Sequence, residues 1–80
     1  MKDINLLDAP PRKELEVLEI RAGHKARQRL ISMGIHMGDK LMKYNGLSWC
    51  PVLLKNVTLD SAKIAIGQRL ASKIMVRYEE

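Results

Sequence analysis

The sequence predicts a small, mainly β domain, a highly twisted antiparallel barrel of about five strands with one inserted α-helix. Three observations support this fold class. Short apolar segments are separated by turn residues, a single segment has a clear helical period, and 80 residues leave room for one core. We therefore expect residues 1–80 to form a single domain, in which closure of the barrel protects the strand edges.

The first strand is expected at residues 14–20, where apolar and acidic residues alternate. Leu15 and Val17 alternate with glutamates, and Leu18 then breaks this phase. Such a break favours a β-bulge near Val17 and Leu18. Residues 8–11, which precede this strand, end in two prolines and predict an extended loop.

A basic amphipathic helix is expected at residues 24–33. Apolar residues recur along it at the helical spacing i, i+4 and i+7: Ala26, Leu30 and Met33. Gly34 follows directly, where a helix often ends because glycine takes a positive φ without a steric clash. Ile35 can then fold back onto Leu30 and complete a Schellman-type cap.

The second half of the chain predicts four more strands and one helical turn. The strands are expected at 40–44, 52–57, 61–66 and 74–78. We expect the third and fourth strands, 52–57 and 61–66, to form a hairpin. Residues 67–73 are too few for a full helix, and we expect one helical turn that points Leu70 and Ala71 inward.

Composition predicts a soluble, cytoplasmic protein with no direct membrane insertion. A single cysteine, Cys50, excludes an internal disulfide and fits a reducing compartment. The first residues lack the pattern of a signal peptide, and no apolar run approaches the ~18–20 residues that span a bilayer. The net charge of +5 is compatible with nucleic acid, an anionic membrane face or an acidic protein as partner, or with solubility alone.

Residues capable of catalysis or metal binding are present, but their spacing does not match the known motifs. His24, His36 and Cys50 lack the spacing of a structural zinc site, so we predict no metal site and no cofactor. Four methionines lie beside leucine and isoleucine and are expected to fill the core rather than to bind a soft metal: Met33, Met37, Met42 and Met75. Paired carboxylates, a phosphate-binding glycine loop and a base for Cys50 are not indicated, so we predict no enzyme.

Two surfaces are candidates for contact with a partner. Lys25, Arg27 and Arg29 form the clearest basic cluster, which is either a contact for an acidic surface or an ordinary solvated helix face. Leu47 and Trp49 lie in a loop between two strands, and tryptophan is enriched at binding hot spots. The alternative for Trp49 is that its side chain plugs the end of the barrel.

These residues resemble the FeoA family of ferrous iron transport accessory proteins. The family pattern is a strand, a basic helix ending in Leu-x-x-(Leu/Met)-Gly, a Pro-Gly-like turn and a late Leu-Ala-x-x-Ile strand. The matching segments are residues 29–35, 37–39 and 64–76, and the resemblance extends from about residue 6 to residue 76.

The resemblance implies an SH3-like barrel and a cytoplasmic accessory protein of ferrous iron uptake. The implied partner is the cytosolic region of a FeoB-type membrane transporter. One alternative is a basic nucleic-acid-binding barrel, which we do not expect because the three aromatic residues are not interleaved with the basic cluster. The other is a stand-alone regulatory domain like the C-terminal SH3-like domain of iron-dependent repressors.

Overall fold

The structure, a computed structural model, describes residues 1–44 and 51–80, which form one antiparallel sheet and two short helices. The elements are β1 (Lys2–Asn5), β2 (Glu14–Ile20), α1 (His24–Ser32), β3 (Lys40–Lys43), β4 (Val52–Asn56), β5 (Ile64–Ile66), α2 (Gln68–Ser72) and β6 (Ile74–Tyr78). The strand order in the sheet is β1-β6-β2-β3-β4-β5. The predicted class, mainly β with one inserted helix and a later helical turn, is confirmed.

β1 is an additional strand that the sequence did not predict. It pairs antiparallel with β6, from Lys2 opposite Tyr78 to Asn5 opposite Met75. The four residues of β1 include a lysine and an aspartate and do not alternate between apolar and polar types. Pairing with the distant β6 therefore makes this segment a strand, and Leu6, which follows, is fully buried.

β2 pairs with two different strands. Its N-terminal part pairs with β3 and its C-terminal part pairs with β6. The register with β6 shifts between Val17 and Glu19, so that Leu18 is an extra residue in β2. This confirms the predicted bulge, and the shift allows both Val17 and Ile20 to be buried although they are an odd number of residues apart.

The end of α1 also has the predicted geometry. Gly34 has a φ of +93°, its N–H donates to Ile31 O, and Ile35 N–H donates to Leu30 O at 3.0 Å. These are the two hydrogen bonds of a Schellman motif, with Met33 as the C-cap residue. Leu30 and Ile35 are both fully buried, so the cap fixes the end of the helix to the core.

The hairpin of β4 and β5 is confirmed, although β5 is shorter than the predicted strand. Residues 61–63 belong to the connection, because Ser61 binds back to the end of β4: Asn56 N–H donates to Ser61 Oγ and Ser61 N–H donates to Asn56 O. In α2, Ala71 is buried and Leu70 packs partly buried against the core, as predicted.

The core is aliphatic and receives residues from every strand or its flanking turn. Its fully buried members include Leu6, Leu15, Leu30, Ile35, Leu41, Leu54, Ile74 and Val76. Two polar side chains, Lys43 and Asn56, are buried among them. Within the described residues, every buried side-chain nitrogen or oxygen has a hydrogen-bond partner.

Candidate functional site

The three basic residues predicted on the helix are all exposed on α1. Lys25, Arg27 and Arg29 lie on the exposed sides of α1, whose inward side carries the buried Leu30 and the half-buried Ala26. Within residues 1–44 and 51–80, none of the three basic side chains forms a salt bridge. Their charges therefore face solvent without a carboxylate partner in this part of the chain.

These three cations do not share a single face of α1. Lys25 and Arg29 are four residues apart and lie one above the other, whereas Arg27 is two residues from each and points to another side. Arg27 instead shares its side with Ile31, four residues further on, which is exposed. The basic cluster is thus a wide positive zone around the helix rather than a narrow patch.

Leu47, Trp49 and Cys50 lie outside the residues that the structure describes. The predicted contact through Leu47 and Trp49 stays a prediction, as does the alternative that Trp49 plugs the barrel.

The two histidines have different surroundings. His24 is exposed at the start of α1. His36 is half-exposed, and its Nδ1 lies 2.9 Å from Asp39 Oδ2. Within the described part of the chain, no three His, Cys, Asp or Glu side chains are grouped so as to hold a metal ion.

The prediction that the methionines fill the core is wrong for Met37. Met33 packs partly buried against the core, and Met42 and Met75 are half-buried. Met37, in contrast, is 57% exposed in the turn between Ile35 and Gly38. Its side chain is therefore available at the surface.

A buried amide, not recognised in the sequence, links the two glycine turns to the hairpin. Asn56 Nδ2 donates to Gly34 O at 2.7 Å and to Asp39 Oδ2 at 2.8 Å, while its Oδ1 accepts from Leu59 N–H at 3.1 Å. His36 contacts the same carboxylate oxygen of Asp39. No sequence motif indicates this network, because its members are distant in sequence and asparagine is common at strand ends.

Asp39 is kept ionised by this network. Burial raises the pKa of the Asp39 carboxyl, but the hydrogen bonds from Asn56 and His36 and the nearby imidazole outweigh that effect. The pKa therefore lies below its ordinary value of 3.8. Asp39 therefore has a structural role: together with Asn56, its carboxylate joins the turn at Gly34 to the turn that precedes β3.

Lys43 is a second buried polar residue that the sequence did not reveal. Its Nζ donates to Leu7 O at 2.9 Å and to Ala9 O at 2.7 Å, so it holds the turn that precedes β2. Burial lowers the pKa of Lys43 below its ordinary value of 10.5, while the charge of Asp8 acts in the opposite direction. The lysine is thus a structural anchor inside the barrel.

A shallow groove of about 430 Å³ crosses the ends of β2 and β6. It is lined by Met1, Lys13, Glu14, Glu16, Lys40, Arg77, Tyr78 and Glu79. Its charges largely pair with each other or with neighbours: Lys40 with Glu14 at 3.3 Å, and Arg77 with Asp3. Lys13 lies over the ring of Tyr78. The groove is therefore lined by charges of both signs, several of which are already paired.

Membrane spanning by a helix is not indicated. Among the described residues, neither α1 nor α2 is long and apolar enough to cross a bilayer.

Comparison with known proteins identifies the family. The family model of the FeoA domain matches residues 4–78. The chain belongs to the FeoA domain family. It is 43% identical over 68 residues to a candidate Fe(2+) transport protein A of Methanocaldococcus jannaschii, a match that covers 85% of this chain and 78% of that protein.

Solved structures agree with this assignment. The crystal structure of an iron uptake regulatory protein (FeoA) superposes with a TM-score of 0.83 at 30% identity, covering 99% of this FeoA domain and all of that chain. The manganese regulator SloR contains a similar fold, with a TM-score of 0.77 at 9% identity over 95% of this chain and 34% of that protein. The SH3-like barrel implied by the resemblance is confirmed.

Proposed function

We propose that this chain is a non-catalytic accessory protein of ferrous iron uptake that acts in the cytoplasm. It works as a single domain of residues 1–80, by protein–protein contact with the cytosolic region of a FeoB-type transporter. Membership of the FeoA family and a relative named for Fe(2+) transport support the process. The observation that supports the mode of action is the set of exposed basic side chains on α1.

The physical basis of this contact is electrostatic. Lys25, Arg27 and Arg29 project from a helix whose C-terminal end is fixed to the core, so the backbone that carries them is ordered before a partner binds. Exposed charges of one sign accelerate the encounter with a surface of opposite sign, and they do so less as salt screens them. We therefore expect an acidic surface on the transporter and a binding affinity that falls with ionic strength.

The experiment is a calorimetric titration of the purified chain with the cytosolic region of the transporter. The test variant replaces Lys25 and Arg29 by glutamate, four residues apart on α1. The matched control replaces Arg69 and Lys73 by glutamate, also exposed and four residues apart, on and directly after α2. Both variants lower the net charge of +5 by the same amount, so only the position of the change differs.

We expect the α1 variant to bind about tenfold more weakly and the α2 control to bind within about twofold of the original chain. Equal losses in both variants would show that net charge, rather than the α1 surface, controls the encounter. If the original chain gives no heat of binding at low salt, the proposed contact with the transporter is wrong.

A further inference from the structure

Three exposed apolar side chains lie on, or within three residues of, the segments that Asn56 joins by hydrogen bonds. Ile31 is 50% exposed, Met37 57% and Leu59 54%. A single exposed apolar residue is common on soluble proteins, whereas a group of them marks an interaction surface. We refer to Ile31, Met37 and Leu59 as the apolar patch.

One buried amide brings the three parts of the apolar patch together. Asn56 bonds to the carbonyl of the glycine that caps α1, three residues after Ile31. It also bonds to Asp39, two residues after Met37, and to the N–H of Leu59 itself. Because consecutive Cα atoms are about 3.8 Å apart, these short tethers keep the three side chains at the same end of the molecule.

The backbone beneath the apolar patch is fixed. Gly34 and Gly38 have φ values of +93° and +88°, a conformation that the Schellman motif and the following turn require. Gly38 N–H donates to Val17 O at 2.8 Å, and Lys40 N–H donates to Thr58 Oγ1 at 2.8 Å. A partner that binds here pays little conformational entropy, because the turns are already ordered.

The charges beside the patch indicate the chemistry of the partner. Arg27 is one helical turn before Ile31 and forms no salt bridge within the described residues. The two acidic residues next to the patch are engaged: Asp39 by Asn56 and His36, and Asp60 by Lys55 at 3.0 Å. The Asp39 carboxylate is also only 14% exposed, so in the part of the chain that the structure describes the exposed unpaired charge at the rim is that of Arg27.

We infer that the apolar patch, with Arg27 at its rim, is a docking surface for an apolar groove of a partner protein that is edged by carboxylates. The inference rests on the proposed function, in which this partner is the cytosolic region of the transporter. A protein is favoured over a lipid surface because binding to anionic lipids draws on clusters of several lysines and arginines. Of the three cations on α1 that form no salt bridge within the described residues, only Arg27 shares the side of the helix that carries Ile31, whereas Lys25 and Arg29 lie on another side.

The test measures the affinity of three variants for the cytosolic region of the transporter by calorimetric titration. Leu59→Ser removes an apolar side chain of the patch, and Leu53→Ser removes an exposed leucine on β4, outside it. The combined variant replaces Ile31, Met37 and Leu59 by serine. Circular dichroism and thermal unfolding confirm that each variant is folded before it is titrated.

We expect Leu59→Ser to weaken binding roughly fivefold and the combined variant to weaken it roughly a hundredfold. These changes follow because each variant removes apolar area that is exposed in the free chain and would be buried against the partner. Leu53→Ser should stay within about twofold of the original chain. Such a result supports a docking surface at the patch.

Two outcomes overturn the inference and leave the proposed function intact. In the first, the combined variant binds the transporter region as the original chain does, while the Lys25 and Arg29 variant still loses affinity. In the second, the original chain co-sediments with phosphatidylglycerol vesicles, the combined variant does not, and both bind the transporter region equally. If the original chain itself does not bind that region, the proposed function and the inference are both wrong.

Discussion

Asn56→Ala tests whether the buried amide holds the glycine turns and the hairpin together. The side chain makes three hydrogen bonds, of which two are to neutral backbone groups and one is to the Asp39 carboxylate. A neutral bond contributes about 1 kcal/mol and a bond to a charged group about 1.5–3 kcal/mol, so the expected loss is roughly 3–5 kcal/mol. Since a domain of this size has roughly 4–12 kcal/mol of stability, the variant should fold only marginally.

The assay is urea denaturation followed by circular dichroism. Asn5→Ala is the matched control, because Asn5 Nδ2 also donates to an aspartate, Asp8, at 2.8 Å but at an exposed position. The control should lose less than about 1 kcal/mol, since water replaces the lost partner. Equal losses for the two variants would refute the idea that burial makes the Asn56 network important. A double-mutant cycle with Asp39→Ala should give a coupling energy of about 1.5–3 kcal/mol.

Three further variants test other parts of the structure. Lys43→Met leaves one buried and one partly buried carbonyl without this donor and should cost about 1–3 kcal/mol, with faster hydrogen exchange in the turn before β2. Asp39→Asn should flatten the pH profile of stability: because the folded pKa lies below 3.8, the unfolding free energy of the original chain falls as the pH drops through that region. Gly34→Ala should cost about 1–2 kcal/mol in urea denaturation because φ is positive, whereas Gly67→Ala, with a negative φ and open space, should cost less than about 1 kcal/mol.

Local patterns in the sequence predicted most of the elements. The break in alternation at Leu18 predicted the bulge of β2, because side chains alternate strictly along a strand and an extra residue is needed to restore the phase. The sequence from Leu30 to Ile35 predicted the cap of α1, because the positive φ and the apolar contact depend on neighbouring residues. These features are encoded within a few positions of each other.

Features that depend on distant residues were not predictable in the same way. β1 has no apolar alternation and is a strand only through its pairing with β6. Lys43 and Asn56 are polar residues that a pattern assigns to solvent, yet their buried positions are satisfied by carbonyls and a carboxylate from other segments. The exposure of Met37 likewise depends on how the turns pack, so the apolar residues beside it in the sequence wrongly predict a position in the core.

The position of β2 between β6 and β3 has a consequence for how the molecule unfolds. β2 is bonded to β3 through residues 14–16 and to β6 through residues on both sides of the bulge, so one continuous strand links the pair β1–β6 to the group β3–β4–β5. Separating either group from the sheet exposes one edge of this strand and part of the shared core. Native-state hydrogen exchange should therefore find the amides of both groups protected to a similar free energy, as a single cooperative unit rather than two independent ones.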